Sequence, residues 1–232
     1  KKNPDLKKLE KLISYSKNKN QPVACLIEKN VIKPIKSKAI VPKNNLFFRQ
    51  EFIKEFLKLI PKSAKIISTT GYTSRELFKI RKNNKFKKAK DFYMVGGMGH
   101  ASIVGLGFSL NSNKQIFCLD GDGSLLMHLG ALRTIGKFSN KNFKHILLNN
   151  NAHESVGNQI TTSDTIKFEK LVKSLGYKKY FVISNNKNYK STIKKFIKNP
   201  GPSFLEVKIN IGSIKKLIRP KNLIDIKKKF SK

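Results

Sequence analysis

Short apolar runs alternate with helix-patterned segments along most of this chain, and that alternation restricts the folds open to it. The apolar runs are typical of buried strands, and the segments between them have apolar residues at intervals of three and four, as helices do. The predicted strands are 65–68, 92–95, 115–119, 143–148, 180–183 and 204–209, and the predicted helices are 47–60, 73–80, 101–110, 124–138, 165–175 and 189–197. This order predicts an α/β fold, a parallel sheet with helices on both faces.

The segments on either side of this region differ from it. Residues 1–28 hold one helical pattern and one apolar run, 22–27, which predict a helix and a buried strand of a second, incomplete α/β domain. Residues 29–46 are rich in Lys, Pro and Asn without a period, so we interpret them as a linker. The main domain is expected over residues 47–212, followed by a basic C-terminal tail, 213–232, with one last helix.

The net charge of +35 is the most extreme feature of the composition. Nucleic acid or another anionic partner is one interpretation. However, nearly all of the excess is Lys spread over the whole chain, whereas Arg, which DNA-reading proteins favour, is scarce. We therefore favour a coding bias and expect attraction to small anions or acidic surfaces, with no nucleic acid partner.

Other compositional features exclude further classes. No apolar run approaches the roughly 18 residues of a membrane span, and the first residues show no secretory signal, so a cytoplasmic protein without a membrane partner is expected. Cys25 and Cys118, the two cysteines, lie in apolar runs and are expected to be reduced and buried.

The loops that follow the strands are the candidate sites, because ligands bind beyond the carboxyl ends of parallel strands. After the third predicted strand, residues 120–124 read Asp-Gly-Asp-Gly-Ser. Gly121 and Gly123 permit close backbone approach, and a helix beginning near Ser124 would offer amides to an anion. Asp122 adds a carboxylate for a cation that bridges to that anion, although a simple tight turn is the alternative.

The fourth predicted strand ends in the run Asn149–Asn151, followed by Ala152. Magnesium prefers oxygen ligands, usually one or two side chains together with phosphate oxygens and water. Asp122, the amide oxygen of Asn150 and a nearby backbone carbonyl could supply such ligands from two adjacent loops. The two loops together indicate a metal and phosphate site more strongly than either does alone.

This pair of loops, with Asn150 placed 28 residues after Asp122, resembles the diphosphate-binding motif of thiamine diphosphate enzymes. The resemblance implies that Asp122, the Asn150 side chain and the Ala152 carbonyl hold Mg²⁺, which binds the cofactor diphosphate. It also implies that Gly96, in the turn after the second predicted strand, offers its carbonyl to the aminopyrimidine, and that Met98 supports a bent cofactor. The expected cofactor-contacting residues are Gly71, Thr73, Gly96, Met98, Gly121, Asp122, Gly123, Ser124, Asn150 and Ala152.

Two of these residues also have simpler interpretations. Met98 on its own would be read as an ordinary core methionine. Thr73 lies in a turn that opens a predicted helix, where it could meet the diphosphate or serve only as an N-cap.

Longer stretches narrow the resemblance to phosphonopyruvate decarboxylases and the closely related sulfopyruvate decarboxylases. They are residues 69–78, 99–102, 121–130 and 149–159. The chain departs from the family at Asn158, where members often have Gly. The resemblance implies decarboxylation of a 2-oxo acid, with 3-phosphonopyruvate, giving phosphonoacetaldehyde and CO₂, as the first candidate substrate.

Enzymes of this family also need an aminopyrimidine-binding domain that supplies an activating glutamate. Residues 1–28 resemble only the last helix and strand of that domain, so the glutamate is expected on a partner subunit or within a homo-oligomer, unless the gene is truncated. A sulfopyruvate decarboxylase subunit and a synthase-type thiamine diphosphate enzyme remain alternatives. A non-catalytic anion- or nucleic-acid-binding module is the alternative from another class.

The histidines divide into two pairs. His100 and His153 follow loops that would face the cofactor, and either could bind the anionic substrate or move a proton; a structural hydrogen bond is the alternative for both. His128 and His145 are expected to be structural. The sequence has no zinc-type ligand spacing and no Gly-x-Ser-x-Gly elbow of a hydrolase.

Overall fold

The computed structural model describes residues 5–28, 31, 42–82, 86 and 91–231, and the chain divides into two units, 1–40 and 41–232. The first unit contains helix α1 (Leu6–Lys19). Asp5 caps its N-terminus by accepting a hydrogen bond from the amide of Lys8, and the helix ends at Asn20 in the left-handed conformation. The predicted N-terminal helix is therefore present.

The apolar run 22–27 forms no strand, so that prediction was wrong. Leu26 is 97% exposed and Cys25 is also exposed, contrary to the expectation of a buried thiol. A strand needs a neighbour for its backbone hydrogen bonds, and none of the described sheet pairings includes this run. Most of the predicted linker, residues 29, 30 and 32–41, lies outside the described residues.

The second unit is built on a seven-stranded sheet whose strands all run parallel to their neighbours. The strands are β1 (Phe47–Phe48), β2 (Lys65–Ser68), β3 (Asp91–Tyr93), β4 (Ile116–Gly121), β5 (Phe143–Asn149), β8 (Lys179–Ile183) and β9 (Ser203–Asn210). A separate antiparallel pair consists of β6 (Ala152–His153) and β7 (Gln159–Ile160). In the main sheet the order is β1-β9-β5-β4-β2-β3, with β8 also paired to β9.

Helices cover both faces of this sheet, as predicted. They are α2 (Arg49–Leu59), α3 (Tyr72–Arg81), α4 (Ala101–Leu110), α5 (Asp122–Met127), α6 (Ala131–Phe138), α7 (Phe168–Ser174), α8 (Tyr189–Lys198) and α9 (Leu223–Ser231). Alternate residues of β4 enter different apolar clusters, because successive side chains of a strand point to opposite faces. Phe117 packs in the cluster that contains Phe56 and Phe196, whereas Cys118 packs in the cluster that contains Phe143.

The structure extends the domain beyond both predicted boundaries. The backbone of Lys43, in the predicted linker, hydrogen-bonds to the side chain of Asn210. At the other end, α9 is part of the domain, because Phe230 is fully buried and its ring lies 5.5 Å from Phe92 and 4.4 Å from Phe108. The last helix predicted in the basic tail is therefore present, and it packs on the domain.

One predicted helix is divided. Residues 124–138 form α5 and α6, separated at residues 128–130, where the amide of His128 bonds the Leu125 carbonyl and the amide of Ala131 bonds the His128 carbonyl. These turn bonds replace the continuous helical pattern. Across the described parts of the chain, no helix combines the length and the apolar composition that crossing a bilayer requires.

Candidate functional site

An open pocket with a cavity volume of about 70 Å³ lies at the carboxyl ends of the central strands. The parallel register aligns Gly121 at the end of β4 with Leu148 near the end of β5, so the loops that follow these strands share one edge of the sheet. The predicted site residues that line the pocket are Thr73, Met98, Gly121, Asp122, Gly123, Ser124, Asn150, Ala152 and His153. Gly71, Gly96 and His100 are not among the lining residues.

The loop at residues 120–124, here called the aspartate loop, is held by hydroxyl groups. Asp122 is 2% exposed, and its Oδ2 accepts hydrogen bonds from the hydroxyls of Thr161 and of Ser163, the latter at 3.0 Å. These two residues belong to a 3-10 turn region after β7 and were missed by the sequence analysis. Their run of Thr and Ser predicts a turn and gives no sign of a contact with a distant aspartate.

Gly123 leaves room for the ring of His153. A Cβ atom added at Gly123 would lie 2.4 Å from Cε1 and 2.5 Å from Nδ1 of that ring. Gly121, in contrast, has no atom within 4 Å of such a Cβ. Of the two glycines in the aspartate loop, only Gly123 is required by close packing.

Two carboxylates orient asparagine side chains in residues 149–154, here called the asparagine loop. Asn150 donates from Nδ2 to Glu154 Oε2 at 3.0 Å, and its Oδ1 accepts from the amide of Ala152 at 3.2 Å. Asn149 makes the corresponding contact with Glu206, donating from Nδ2 to Oε1 at 3.0 Å. Neither glutamate was singled out from the sequence.

A buried ion cluster joins the asparagine loop to the start of α2. Arg49 is 5% exposed and forms ion pairs with two carboxylates. It pairs with Glu154, and its guanidinium lies 3.6 Å from Glu76 Oε2. Burial raises the pKa of Glu76 above its usual value, and the opposing effect of Arg49 does not cancel this. Arg49 lines the pocket, but its charge is already faced by two carboxylates.

The turn after β3, residues 95–100, is here called the glycine loop. Gly96, Gly97 and Gly99 have φ values of +76°, +53° and +90°, a region that side-chain-bearing residues rarely occupy. The amide of Gly99 donates to Ser124 Oγ at 3.0 Å, and that hydroxyl shares a 2.7 Å hydrogen bond with the hydroxyl of Thr69. Met98 lines the pocket beside this link.

The turn before α3 contributes Thr73. Gly71, with φ +90°, is the N-cap of α3 and offers no side-chain cap. The N-cap alternative for Thr73 is therefore wrong, and Thr73 lies in the first turn of the helix as part of the pocket wall. Gly71 itself packs close to Ser155, whose Oγ would lie 3.2 Å from a Cβ at that position.

The histidines occupy three different environments. His153 lines the pocket. His100 is exposed, with its ring 4.6 Å from that of His128 and its Nδ1 3.2 Å from the Met98 carbonyl. His145 is fully buried, 3.4 Å from Asp120 Oδ2 and 2.9 Å from the Tyr177 hydroxyl.

The pocket has the donors that a hard divalent cation prefers. Asp122, Asn150 and Ala152 all line it and carry a carboxylate, an amide oxygen and a backbone carbonyl, and Mg²⁺ is bound by oxygens of these kinds. Asn158, at which the chain departs from the family that it resembles, adopts φ +61°, a conformation that Asn tolerates. The residues that line the pocket therefore fit a hard divalent cation.

Fold and pocket define a class: a parallel α/β domain with an oxygen-rich site at its central strand ends. The fold is shared with thiamine diphosphate-dependent 4-hydroxybenzoylformate decarboxylase of Rhodococcus jostii RHA1, at a TM-score of 0.58 and 17% identity, covering 81% of this chain and 37% of that one. Residues 69–207 match the C-terminal TPP-binding domain of thiamine pyrophosphate enzymes. The chain therefore belongs to the thiamine pyrophosphate enzyme family.

Curated relatives give a finer likeness. Phosphonopyruvate decarboxylase of Streptomyces viridochromogenes is 34% identical over 169 residues, which are 73% of this chain and 41% of that protein. Sulfopyruvate decarboxylase subunit beta of Methanococcus maripaludis is 33% identical over 160 residues, 69% of this chain and 83% of that subunit. The corresponding subunit of Methanocaldococcus jannaschii is 37% identical over 129 residues, 55% of this chain and 66% of that subunit. The chain thus spans about two fifths of the phosphonopyruvate decarboxylase it matches.

Proposed function

We propose that this chain is the diphosphate-binding part of a thiamine diphosphate- and Mg²⁺-dependent decarboxylase, with 3-phosphonopyruvate as its substrate. The observation that carries the proposal is that Asp122, Asn150 and Ala152 line the same pocket, after the ends of two paired parallel strands. The choice of substrate is supported by the 34% identity to a phosphonopyruvate decarboxylase.

The chain's own residues would bind and orient the metal ion and the cofactor. Asp122, Asn150 Oδ1 and the Ala152 carbonyl would hold Mg²⁺, while Thr161 and Ser163 keep the Asp122 carboxylate in place. Thiamine diphosphate, when bound, acts as the electron sink for the carbanion left when CO₂ departs. Met98 would support the cofactor from the pocket wall.

Two histidines are proposed to act on the substrate side. His153 already lines the pocket and could donate to the anionic substrate or move a proton. His100, exposed at the start of α4, would reach a reacting group only when another chain covers this surface. We also propose that Gly96 offers its carbonyl, and Gly71 its backbone, at the rim of the pocket.

A partner is the second part of the proposal. The chain matches 83% of a protein named as a beta subunit, which supports a division of the enzyme into separate chains. We infer that a partner subunit, or another copy, supplies the aminopyrimidine-binding surface and the activating glutamate. Catalysis would then require assembly, because the site is complete only between chains.

The decisive experiment measures CO₂ release with thiamine diphosphate and Mg²⁺, by this chain alone and mixed with the product of the adjacent reading frame. Phosphonopyruvate turnover in the mixture alone is the expected result. Faster turnover of sulfopyruvate under equal conditions would make sulfopyruvate the substrate instead of phosphonopyruvate. The 37% identity to a sulfopyruvate decarboxylase subunit supports this alternative. Condensation with a second oxo acid would indicate a synthase instead.

Binding measurements distinguish the non-catalytic alternative from the proposed enzyme. A nucleic-acid-binding module would bind DNA or RNA tightly and lose affinity steeply with salt. The proposed enzyme would instead bind thiamine diphosphate only with a divalent cation. Salt-sensitive nucleic acid binding without metal-dependent cofactor binding would contradict the proposal.

A further inference from the structure

Glu154 forms a hydrogen bond with the side-chain amide of Asn150. The Glu154 side chain is 7% exposed, and its Oε2 accepts the Nδ2 hydrogen bond of Asn150. An ionised carboxylate only accepts hydrogen bonds, so it can face the nitrogen end of an amide but not the oxygen end. Asn150 must therefore direct Oδ1 away from Glu154, and the structure places that oxygen beside the Ala152 amide.

The carboxylate of Glu154 is itself fixed from two other sides. Arg49, at the start of α2, donates from Nη2 to Oε2, and the amide of Gly212 donates to Oε1 at 2.8 Å. These partners come from segments 105 and 58 residues away in the sequence. Glu154 is thus held by distant, ordered parts of the domain, and its orientation does not depend on the asparagine loop alone.

We propose that Glu154 is a positioning residue for the cation site, acting through Asn150. The inference rests on the proposed function, in which Asn150 Oδ1 is a magnesium ligand. Groups that orient a ligand in this way raise metal affinity by about 10- to 100-fold. Removing the Glu154 carboxylate would let the amide turn, so that Nδ2, which is not a metal ligand, faces the cation in part of the molecules.

Glu206 offers a matched control. It accepts the Nδ2 hydrogen bond of Asn149 at the same 3.0 Å, and it is 5% exposed. Asn149 is not among the residues that line the pocket. Loss of Glu206 therefore removes the same kind of bond from the same loop without releasing the proposed ligand.

The test uses the complete chain with thiamine diphosphate and Mn²⁺ as the probe, whose free and bound forms are distinguished by electron paramagnetic resonance. We expect Glu154→Ala to weaken Mn²⁺ binding at least about tenfold, and Glu206→Ala to weaken it much less, because Asn150 keeps its bond to Glu154. Thermal unfolding without metal is measured in parallel, to show that each variant is folded. Equal weakening by both variants would mean general loop support and would overturn the inference.

A double-variant cycle keeps the inference testable if Glu154→Ala does not fold. Glu154→Gln can turn either end of its own amide toward Asn150, so it no longer fixes the direction of Oδ1, and Mn²⁺ binding should fall. Asn150→Asp makes both side-chain atoms oxygens, so the direction no longer matters, and in that background Glu154→Gln should cost at least about fivefold less binding than it does in the chain with Asn150. An equal loss in both backgrounds contradicts the proposed role of Glu154.

The result for the unmodified chain distinguishes a failure of the proposed role of Glu154 from a failure of the proposed function. If wild type takes up Mn²⁺ with thiamine diphosphate and Glu154→Ala does so equally well, only the role of Glu154 is wrong. If wild type takes up none, the proposed function is wrong, and the role of Glu154 falls with it.

Discussion

The aspartate loop and the glycine loop border the same pocket but are held in different ways. In the aspartate loop, Asp122 is 2% exposed and is oriented by hydroxyls of Thr161 and Ser163. In the glycine loop, the backbone turns through three glycines with positive φ, and Val95 is 52% exposed. One loop is fixed by side-chain bonds, whereas the other is shaped mainly by its backbone and is exposed at residues 95–97.

This difference separates two tasks within one site. A cation site requires ligands that are already oriented, because reorganising them on binding would lower affinity. A surface that another subunit covers has no such need, since the partner can complete it. The comparison therefore predicts that changes in the aspartate loop act on metal-dependent binding, and that changes in the glycine loop act on the cofactor with little effect on the metal.

The largest effect is expected from Asp122→Ala. Loss of the proposed carboxylate ligand should weaken Mg²⁺-dependent binding of thiamine diphosphate by about 100-fold or more, because a direct ligand contributes more than the groups that orient it. Isothermal titration of the complete chain measures this. Asp164→Ala is the control, since Asp164 is an exposed aspartate on the turn that carries Ser163. Cofactor affinity equal to wild type in Asp122→Ala would show that the metal assignment is wrong.

Asp122 and Asn150 could be found from the sequence because each follows a predicted strand directly, and parallel strands end at one edge. Thr161, Ser163, Arg49 and Glu154 could not. Thr161 lies 39 residues from Asp122, and Arg49 lies 105 residues from Glu154. Contacts between such distant segments depend on tertiary packing, and Thr, Ser and Glu are common in surface loops.

An intermediate effect is expected from Gly123→Ala. The added methyl group would lie 2.4 Å from the His153 ring, so the ring must move or the loop must shift. Overpacking of this kind costs about 1–3 kcal/mol, and we expect cofactor affinity to fall about tenfold. Gly107→Ala is the control, because its Cβ would meet no atom within 4 Å and Gly107 is not among the residues that line the pocket. Removing the ring in Gly123→Ala/His153→Ala should relieve the clash; if it does not, the ring contact is not the cause.

The fold was predictable where local pattern and tertiary structure agree. The strands and most helices have a clear period, and both faces of the sheet are covered as expected. In α9, Phe230 follows Ile226 at a helical interval and is fully buried, but the surrounding lysines made the segment read as a tail. The run 22–27 failed for the opposite reason, since its apolar residues predict a strand only where a partner strand exists.

A smaller effect is expected from Met98→Ala in the glycine loop. Met98 is partly buried on the pocket wall, so losing its side chain removes about 1 kcal/mol of apolar contact with a bound cofactor. Affinity for thiamine diphosphate should fall about fivefold, while Mn²⁺ affinity measured with inorganic diphosphate stays at the wild-type value. Met127→Ala is the control, as Met127 is 65% exposed. A parallel loss of Mn²⁺ affinity would show that the two loops do not act separately.

The smallest effect is expected from Glu55→Gln, which tests whether every ion pair on α2 supports the site as Arg49 does. Hydrogen bonds from Lys58 and Tyr189 hold the pKa of Glu55 below its usual value. A lowered pKa in the folded state means that the stabilisation is present above the unfolded-state pKa and is lost as the pH falls through the folded-state value.

Glu55 is partly exposed and its pair with Lys58 is a surface pair, so the stabilisation should not exceed about 0.5 kcal/mol near neutral pH. Urea unfolding of wild type and Glu55→Gln should therefore differ slightly at neutral pH and converge as the pH falls below about 4. Mn²⁺ affinity should be the same in both, because no bond in the structure connects Glu55 directly to Glu154 within the described residues. A change in metal affinity would mean that α2 transmits strain along its whole length, and that the anchoring of the asparagine loop extends beyond Arg49.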